Sequence, residues 1–339
     1  MPLRLEPEIA AAIDSQIWEI YRHRLGGSEL RQLAKLFKRA GLLTRLENIL
    51  SPTLRSPSRG YREDLEIRLA WIDKRPLAKL ETNPRRVELG DAAIFFFDLF
   101  QNAKTKRYLQ SRAVILQAKA AKEKKQLARP AVPVNPTIPR AMSSTARELE
   151  LLSTWRKFDL YKASGSRAPT VRGISVAPPR FPPANGWYMA TPKSRPRGAE
   201  IHAWKSPWMC APAASGSLCN VTLGNLILAF LTSSMVNGGG SSLPEVGTNF
   251  KFDPQYLSMP RGNDWDRLCI EILRLCPRNR LPQSLFGARA GGAVVASVLR
   301  SLPYIGSEGG LGDWLLRFRD FIWPRRMAVL LIAVTRTEG

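Results

Sequence analysis

Residues 88–97 read ELGDAAIFFF, and residues 111–121 read SRAVILQAKAA. Each stretch contains an uninterrupted run of aliphatic and aromatic residues, a composition that is enriched in β-strands. The residues that separate them, 101–107, are polar and basic. The pattern therefore predicts two strands, over 86–100 and 111–121, joined as an antiparallel hairpin with its tip at 101–107.

Polar side chains lie next to both apolar runs. Asp91 follows Gly90 immediately before the first run, and Gln117 and Lys119 follow the second. Gly90 allows the backbone or a substrate to approach Asp91 closely. Successive side chains of a strand alternate between its two faces, so Gln117 and Lys119 are expected on the same face. A carboxylate, an amide and an amine at strand edges are groups that suit a magnesium-dependent phosphodiesterase.

This pattern resembles the signature of the PD-(D/E)xK nuclease superfamily, whose fold is restriction-endonuclease-like. Asp91 corresponds to the first acid and Gln117-Ala118-Lys119 to the (D/E)xK tripeptide, with Gln117 in place of the second acid. The resemblance covers about residues 60–165 of the chain. It implies an α/β (α+β) fold in which a mixed sheet core, with the element order α-β-β-β-α-β, is flanked by helices.

The resemblance also implies a function. The chain would be a metal-dependent nuclease that hydrolyses phosphodiester bonds in nucleic acid, in bacterial defence or mobile-element biology. Asp91 and Gln117 would bind Mg²⁺ or Mn²⁺, and Lys119 would polarise the attacking water or stabilise the pentacovalent phosphate. An acidic residue of the preceding helix would complete the catalytic set. Glu66, as a further metal ligand, and Glu63 are the candidates for this position, and Glu88 is a further option.

The chain is strongly basic. Its 339 residues include 51 Lys and Arg against 28 Asp and Glu, which gives a formal net charge of +23. The basic residues recur from Arg22 to Arg326 rather than in one tail, and this indicates a positive face on a folded body. Nucleic acid is therefore the predicted partner, with DNA favoured over RNA. The densest basic zone, predicted to bind phosphates without reading sequence, comprises Lys104, Lys106, Arg107, Arg112, Lys122, Lys124 and Lys125.

Other interpretations of the same features stay open. An Asp after a Gly is common in turns, and a Gln-x-Lys strand end is common at solvated edges. The chain would then be a non-catalytic nucleic-acid-binding or ribonucleoprotein component, or a basic viral or phage structural protein. Four aromatic residues of the middle region are compatible both with base stacking and with core packing: Trp187, Tyr188, Trp204 and Trp208.

Cysteine usage and hydropathy bear on the compartment. Cys210, Cys219, Cys269 and Cys276 show no CxxC spacing, so we expect reduced, buried thiols rather than a zinc site or a disulfide framework. No apolar run reaches the roughly 18 residues that a membrane span requires. The N-terminus lacks the apolar segment of a signal peptide. The sequence thus predicts a cytoplasmic protein that does not bind membranes.

The sequence predicts an N-terminal helical region over 1–60 and a nuclease-like core over 61–165. The core is expected to begin with a helix over 62–72, on which Glu63 and Glu66 lie.

Later elements are less regular in the sequence. Thr145 and Glu148 have the spacing of a capping box at the start of a helix. Residues 166–339 are rich in Pro and Gly and then α-rich, and we expect them to form a specificity or partner-binding region. A protein partner or a second copy of the chain would bind there. The apolar stretch 327–335 is compatible with either a strand or a helix.

Overall fold

The protein is described by a computed structural model. The described residues are 3, 5–22, 25, 28–54, 61–72, 75–102, 105–121, 144–176, 184–193, 204–214, 218–238, 241–257, 262–285 and 327–338.

Within the described residues, six α-helices form where the sequence places apolar residues at helical spacing. In the first helix the buried residues Ala10, Ile13, Ile17 and Tyr21 recur every three or four positions, which gives one apolar face. The α-helices are α1 (Glu8–Tyr21), α2 (Glu29–Leu36), α3 (Thr44–Leu54), α4 (Ser144–Thr154), α5 (Leu223–Thr232) and α6 (Asp264–Leu275). Shorter helical segments are Arg39–Leu43, Pro254–Leu257, Arg278–Arg280 and Gln283–Leu285.

Fourteen strands occur in the described residues. They are β1 (Tyr61–Ile72), β2 (Leu77–Leu80), β3 (Val87–Glu88), β4 (Ala92–Gln101), β5 (Lys106–Ala121), β6 (Phe158–Tyr161), β7 (Val171–Ile174), β8 (Gly186–Pro192), β9 (Met209–Pro212), β10 (Val221–Thr222), β11 (Met235–Gly238), β12 (Ser241–Glu245), β13 (Thr248–Asn249) and β14 (Met327–Glu338). Helices and a mixed sheet together confirm the α/β (α+β) class.

The largest sheet has eight strands in the order β1-β14-β4-β5-β8-β9-β10, and β13 also pairs with β5. Its pairs are antiparallel except for β14 with β4 and β5 with β8, which are parallel. A smaller sheet has the order β3-β2-β6-β7, and β11 pairs with β12 alone.

The large sheet separates two hydrophobic cores. One face packs against α1, α2, α3 and α5, with side chains such as Ile94, Phe96 and Leu116 between sheet and helices. The other face packs against α4, α6 and the smaller sheet, through residues such as Phe95 and Ile115. Because neighbouring residues of β4 and β5 contribute to opposite cores, both strands are apolar on both faces, as buried central strands are.

The C-terminal strand β14 lies between β1 and β4, next to the edge strand of the large sheet. Every residue from 327 to 334 is fully buried. The structure therefore resolves the ambiguous stretch 327–335 as a strand, since an apolar run that is parallel to β4 and covered on both faces needs no polar face.

The predicted helix over 62–72 is wrong. These residues belong to β1, which pairs with β14 along its whole length. Residues 64–69 alternate between charged and apolar side chains, and the apolar members Leu65, Ile67 and Leu69 contact the core formed by the helices α1 to α3 and α5. A period of two is the signature of a strand.

The predicted hairpin is confirmed. β4 and β5 are antiparallel neighbours, with Ala92 opposite Leu116 and Gln101 opposite Lys106. Its tip is shorter than expected, because Lys106 and Arg107 already belong to β5.

The predicted boundary near residue 165 does not divide the large sheet. Strands from both sides of it alternate in the sheet, since β8 and β14 pair with β5 and β4. The described part of 166–339 contains strands β7 to β14 and two α-helices, α5 and α6, and the rest of this predicted α-rich region, including 286–326, lies outside the described residues. Among the described residues, no helix is long and apolar enough to span a membrane.

Candidate functional site

Asp91 lies in the bend between β3 and β4, against the end of β5. Its backbone N–H donates to Leu116 O at 2.9 Å, and its carbonyl accepts from Ala328 N of β14 at 3.1 Å. A Cβ on the preceding Gly90 would lie 2.5 Å from Ile115 Cγ2 and 3.2 Å from Leu116 O. Gly90 therefore permits the close approach expected from the sequence, and the group that approaches is β5.

The Asp91 carboxylate contacts Gln117 directly. Gln117 Nε2 donates to Asp91 Oδ2, and the Ala118 backbone N–H donates to the same oxygen at 2.9 Å. Both side chains are buried, with exposures of 2% for Asp91 and 1% for Gln117. The other amide atom, Gln117 Oε1, has no hydrogen-bond partner among the described residues. A buried acceptor without a donor is unfavourable unless a ligand completes its bonding.

Arg75 covers the second oxygen of Asp91. Its guanidinium lies 3.4 Å from Asp91 Oδ1 and also forms an ion pair with Glu88. The Arg75 side chain is 9% exposed and that of Glu88 is 34% exposed. A ligand that binds Asp91 Oδ1 must therefore take the place of Arg75.

Lys119 forms the second ion pair of the cluster. Its Nζ lies 2.6 Å from Glu148 Oε2, and Glu148 is buried. Glu148 lies on α4, in the first turn and a half of the helix. Its assignment to a capping box is wrong, because its carboxylate contacts Lys119 of β5.

α4 reaches β5 because it packs closely on the neighbouring strand β8. A Cβ on Gly186 would lie 3.0 Å from Leu152 O and 3.1 Å from Leu152 Cβ, so a larger residue at the start of β8 would require α4 to move away by a few tenths of an ångström. The helix is also held by the buried Trp155, which follows it and packs edge-on against Trp265 of α6.

Burial dominates the titration of the cluster. It raises the pKa of Asp91 to about 7, although the charges of Arg75 and Lys119 lower it. It likewise raises the pKa of Glu148, against the lowering effect of Lys119. The pKa of Tyr188 lies well above its ordinary value through burial and the nearby carboxylates of Glu148 and Asp91. These groups therefore lie close enough to form one electrostatic unit.

The two glutamates expected to complete the site lie elsewhere. Glu63 and Glu66 are on β1 rather than on a helix. Glu66 pairs with Ala333 of β14, which in turn pairs with Phe97 of β4. At about 3.3 Å per residue, the six positions from Phe97 to Asp91 correspond to about 20 Å along the strands.

Glu63 and Glu66 have structural partners of their own. Glu63 forms an ion pair with Arg336 at 3.2 Å, and Glu66 accepts hydrogen bonds from the backbone of Gln283 and Ser284. Their assignment to the catalytic and metal-binding set is therefore wrong. Glu88, the further option, lies in the cluster, because it forms an ion pair with Arg75. Glu148, Arg75 and Tyr188 were not predicted as site residues, and the structure places them at the cluster.

The predicted phosphate-binding zone is only partly available. Arg112 is 4% exposed and donates to Val246 O and Asn249 Oδ1, so its assignment to a nucleic-acid surface is wrong. Lys106 is half-buried and donates to Ser284 O, whereas Arg107 is exposed. The remaining members, Lys104, Lys122, Lys124 and Lys125, have side chains outside the described residues.

The aromatic and sulfur groups belong to the interior. Each of the four aromatic residues is at most 1% exposed, which agrees with core packing rather than base stacking: Trp187, Tyr188, Trp204 and Trp208. All four cysteines are buried free thiols, as expected. In the described part of the chain, no three His, Cys, Asp or Glu side chains are grouped so as to hold a metal. The candidate metal ligands are therefore a single carboxylate and an amide.

Comparisons of the chain with protein-family models, curated proteins and solved structures give no match.

Proposed function

We propose that the chain is a magnesium-dependent phosphodiesterase that acts on nucleic acid, with DNA as the first substrate to test. The observation that carries the proposal is the direct contact of Asp91 with Gln117, together with Lys119 on the same face of β5. Three groups that the sequence pattern relates to phosphodiester hydrolysis thus belong to one cluster, although 26 positions separate Asp91 from Gln117.

The order of elements is a second support. Along the chain α3, β1, β4, β5, α4 and β8 follow one another in the order α-β-β-β-α-β, with β2-β3 and β6-β7 as additions. Within the sheet, β4 and β5 are antiparallel and β5 and β8 are parallel. The insertion of β14 between β1 and β4 is the departure from this simple order. A restriction-endonuclease-like core is thus part of the proposal.

The oxygen atoms of Asp91 and Gln117 are suitable ligands for Mg²⁺ or Mn²⁺. Both ions prefer oxygen ligands, which Asp91 and the amide of Gln117 supply. The unpartnered Gln117 Oε1 is consistent with a bound cation, because a rotation of the amide by half a turn would direct this oxygen toward the Asp91 carboxylate. The amide oxygen and the carboxylate oxygen would then repel each other unless a cation lies between them. A bound Mg²⁺ would supply charge that stabilises the phosphate in the transition state.

The other residues have roles that follow from their charges. Lys119, held by Glu148, would stabilise the developing negative charge on the phosphate. The raised pKa of the Glu148 carboxyl brings it closer to neutral pH and suits it to accept a proton from water. Arg75 would leave Asp91 and contact the substrate phosphate, for which its planar guanidinium is suited.

The test is cleavage of supercoiled plasmid, circular single-stranded DNA and transcribed RNA in the presence of Mg²⁺, Mn²⁺ or EDTA. We expect metal-dependent cleavage by the wild type. We expect a loss of about a hundredfold in Lys119→Gln, since a positioned charge or proton-transfer group contributes about 10²–10⁴-fold. Lys157→Gln is the matched control, because Lys157 is also ion-paired, with Glu81, but lies exposed at the surface. Equal loss in both variants would remove Lys119 from the site.

One observation favours a second function. Arg75 forms ion pairs with Asp91 and Glu88, and Lys119 forms one with Glu148, so each carboxylate of the cluster has a cationic partner without a metal. This arrangement fits a non-catalytic nucleic-acid-binding protein that has the same fold. Salt-sensitive binding of the same substrates without cleavage in any metal would support this function.

Arg75 allows a prediction for metal binding. In Arg75→Gln the cation that faces Asp91 Oδ1 is lost, so we expect Mn²⁺ to bind about tenfold more tightly at pH 8, because repulsion between the two cations disappears. Isothermal titration calorimetry measures this affinity. Arg68→Gln is the control, since Arg68 pairs with the distant Glu66. An unchanged affinity in Arg75→Gln would show that Mn²⁺ does not bind at Asp91.

A further inference from the structure

Tyr188 is the buried polar group of the cluster that the proposed function has not used. It lies on β8 beside Gln117 of β5, with which it is in register in a parallel pair. Tyr188 and Gln117 contribute to the same side of the sheet, the one covered by α4. The Tyr188 hydroxyl is buried, and the charges of Glu148 and Asp91 both act on it.

The Tyr188 hydroxyl has no hydrogen-bond partner among the described residues. A buried hydroxyl without a partner costs about 1–3 kcal/mol. The amide atom of Gln117 that is turned away from Asp91 is unpartnered as well, and Gln117 is in register with Tyr188 on the neighbouring strand. With the amide turned as the proposed metal site requires, this atom is the N–H donor Nε2. Together with the Tyr188 hydroxyl, which accepts as well as donates, it offers the bonds that a single water molecule forms with polar groups.

Resting on the proposed function, we infer that Tyr188 is a positioning residue whose hydroxyl, together with the Gln117 amide, holds the water that attacks the phosphodiester. The water oxygen forms a bond to phosphorus, and the bond from phosphorus to the leaving sugar oxygen breaks with its electron pair on that oxygen. Glu148 accepts the proton of the water, and the leaving oxygen takes a proton from solvent. Tyr188 is neutral throughout and changes only the position of the water.

The variant Tyr188→Phe removes the hydroxyl and keeps the ring. We expect the single-turnover rate on plasmid DNA to fall about 10–100-fold, because an incorrectly placed water reacts more slowly. The enzyme concentration that gives half of the maximal single-turnover rate should stay within about twofold of the wild-type value, because Tyr188 does not bind the DNA. The midpoint of urea unfolding should be unchanged or higher, because an unpaired buried hydroxyl is removed.

Tyr21 supplies the matched control. It is also a buried tyrosine, but its hydroxyl donates to Gln32 O at 2.6 Å and accepts from Trp208 Nε1 at 2.9 Å. Tyr21→Phe should therefore lower the urea midpoint and leave the single-turnover rate unchanged. The two tyrosines are expected to show opposite effects on rate and on stability.

Each other outcome has a definite meaning. An active wild type with an equally active Tyr188→Phe would overturn this inference and leave the nuclease proposal intact. A Tyr188→Phe protein that loses stability as Tyr21→Phe does would show that the hydroxyl is structural, and would overturn it as well. A wild type that cleaves none of the substrates would overturn the proposed function, and this inference with it.

Discussion

An Asp91→Asn protein is expected to cleave plasmid DNA at least about a thousandfold more slowly than the wild type, a loss of about 4 kcal/mol in transition-state stabilisation. Asn keeps the size of the side chain and an oxygen that accepts from the Ala118 N–H, so the bend before β4 is retained. It removes the one carboxylate that contacts Gln117. With the negative charge absent, a divalent cation has only neutral amide oxygens to bind, and its affinity falls.

Asp98→Asn is the control for this experiment. Asp98 lies on β4, the strand that follows Asp91, and is fully buried, so its replacement makes the same chemical change at another buried carboxylate. It pairs with Arg336 at 3.2 Å and is seven residues, about 23 Å, from Asp91 along the strand. Cleavage by Asp98→Asn should equal that of the wild type. Wild-type rates in Asp91→Asn, or equal losses in both variants, would contradict the placement of the site at Asp91.

The hairpin at the centre of the sheet could be predicted because its signals are local. The apolar runs 92–97 and 113–116 and the polar tip between them specify two paired strands whatever surrounds them. The alternation of side chains within β5 correctly predicted that Gln117 and Lys119 lie on the same face of the strand. β1 carries an equally local signal, the charged and apolar alternation over 64–69, but Leu65, Leu69 and Ile72 are also four and three residues apart and so fit the predicted helix as well.

The partners of the site could not be predicted in the same way. Arg75 comes from the residues just before β2, Glu148 from α4 and Tyr188 from β8. Their proximity to Asp91 depends on the parallel pairing of β5 with β8 and on the packing of α4 at Gly186. Thr145 and Glu148 matched a capping box in sequence, and only the tertiary contact with Lys119 decides between that role and the ion pair. Long-range contacts of this kind leave no periodic signal.

The stability of the protein is expected to fall as the pH rises from about 4 to 7. Burial raises the pKa of Asp91 from 3.8 to about 7 and that of Asp98 from 3.8 to about 6. The folded state therefore binds these protons more tightly than the unfolded state does. The stabilisation is fully present below pH 3.8 and is lost as the pH rises through the folded pKa values. At 1.36 kcal/mol per pKa unit, the loss is about 4 kcal/mol for Asp91 and about 3 kcal/mol for Asp98.

Urea unfolding at intervals from pH 5 to 8.5 measures this loss, and the two Asn variants separate the shares of Asp91 and Asp98 from that of Glu148, whose pKa burial also raises. Asp91→Asn should lack the loss of stability that extends to about pH 7, and Asp98→Asn should lack the loss that ends near pH 6. Each variant should therefore be more stable than the wild type at pH 8. Glu66 does not interfere, because hydrogen bonds from Gln283 and Ser284 lower its pKa despite its burial, and its effect is confined to more acidic solutions. A wild-type stability that is constant from pH 5 to 8 would contradict the burial of both carboxylates.

If Asp91→Asn is more stable than the wild type at pH 8 but inactive, then the carboxylate that destabilises the fold is the group that cleavage requires. A carboxylate retained for packing alone would lose nothing by becoming an amide. The combination of a gain in stability with a loss of cleavage, at Asp91 and again at Tyr188, is therefore the pattern that distinguishes a functional cluster from a buried ion-pair network of the fold.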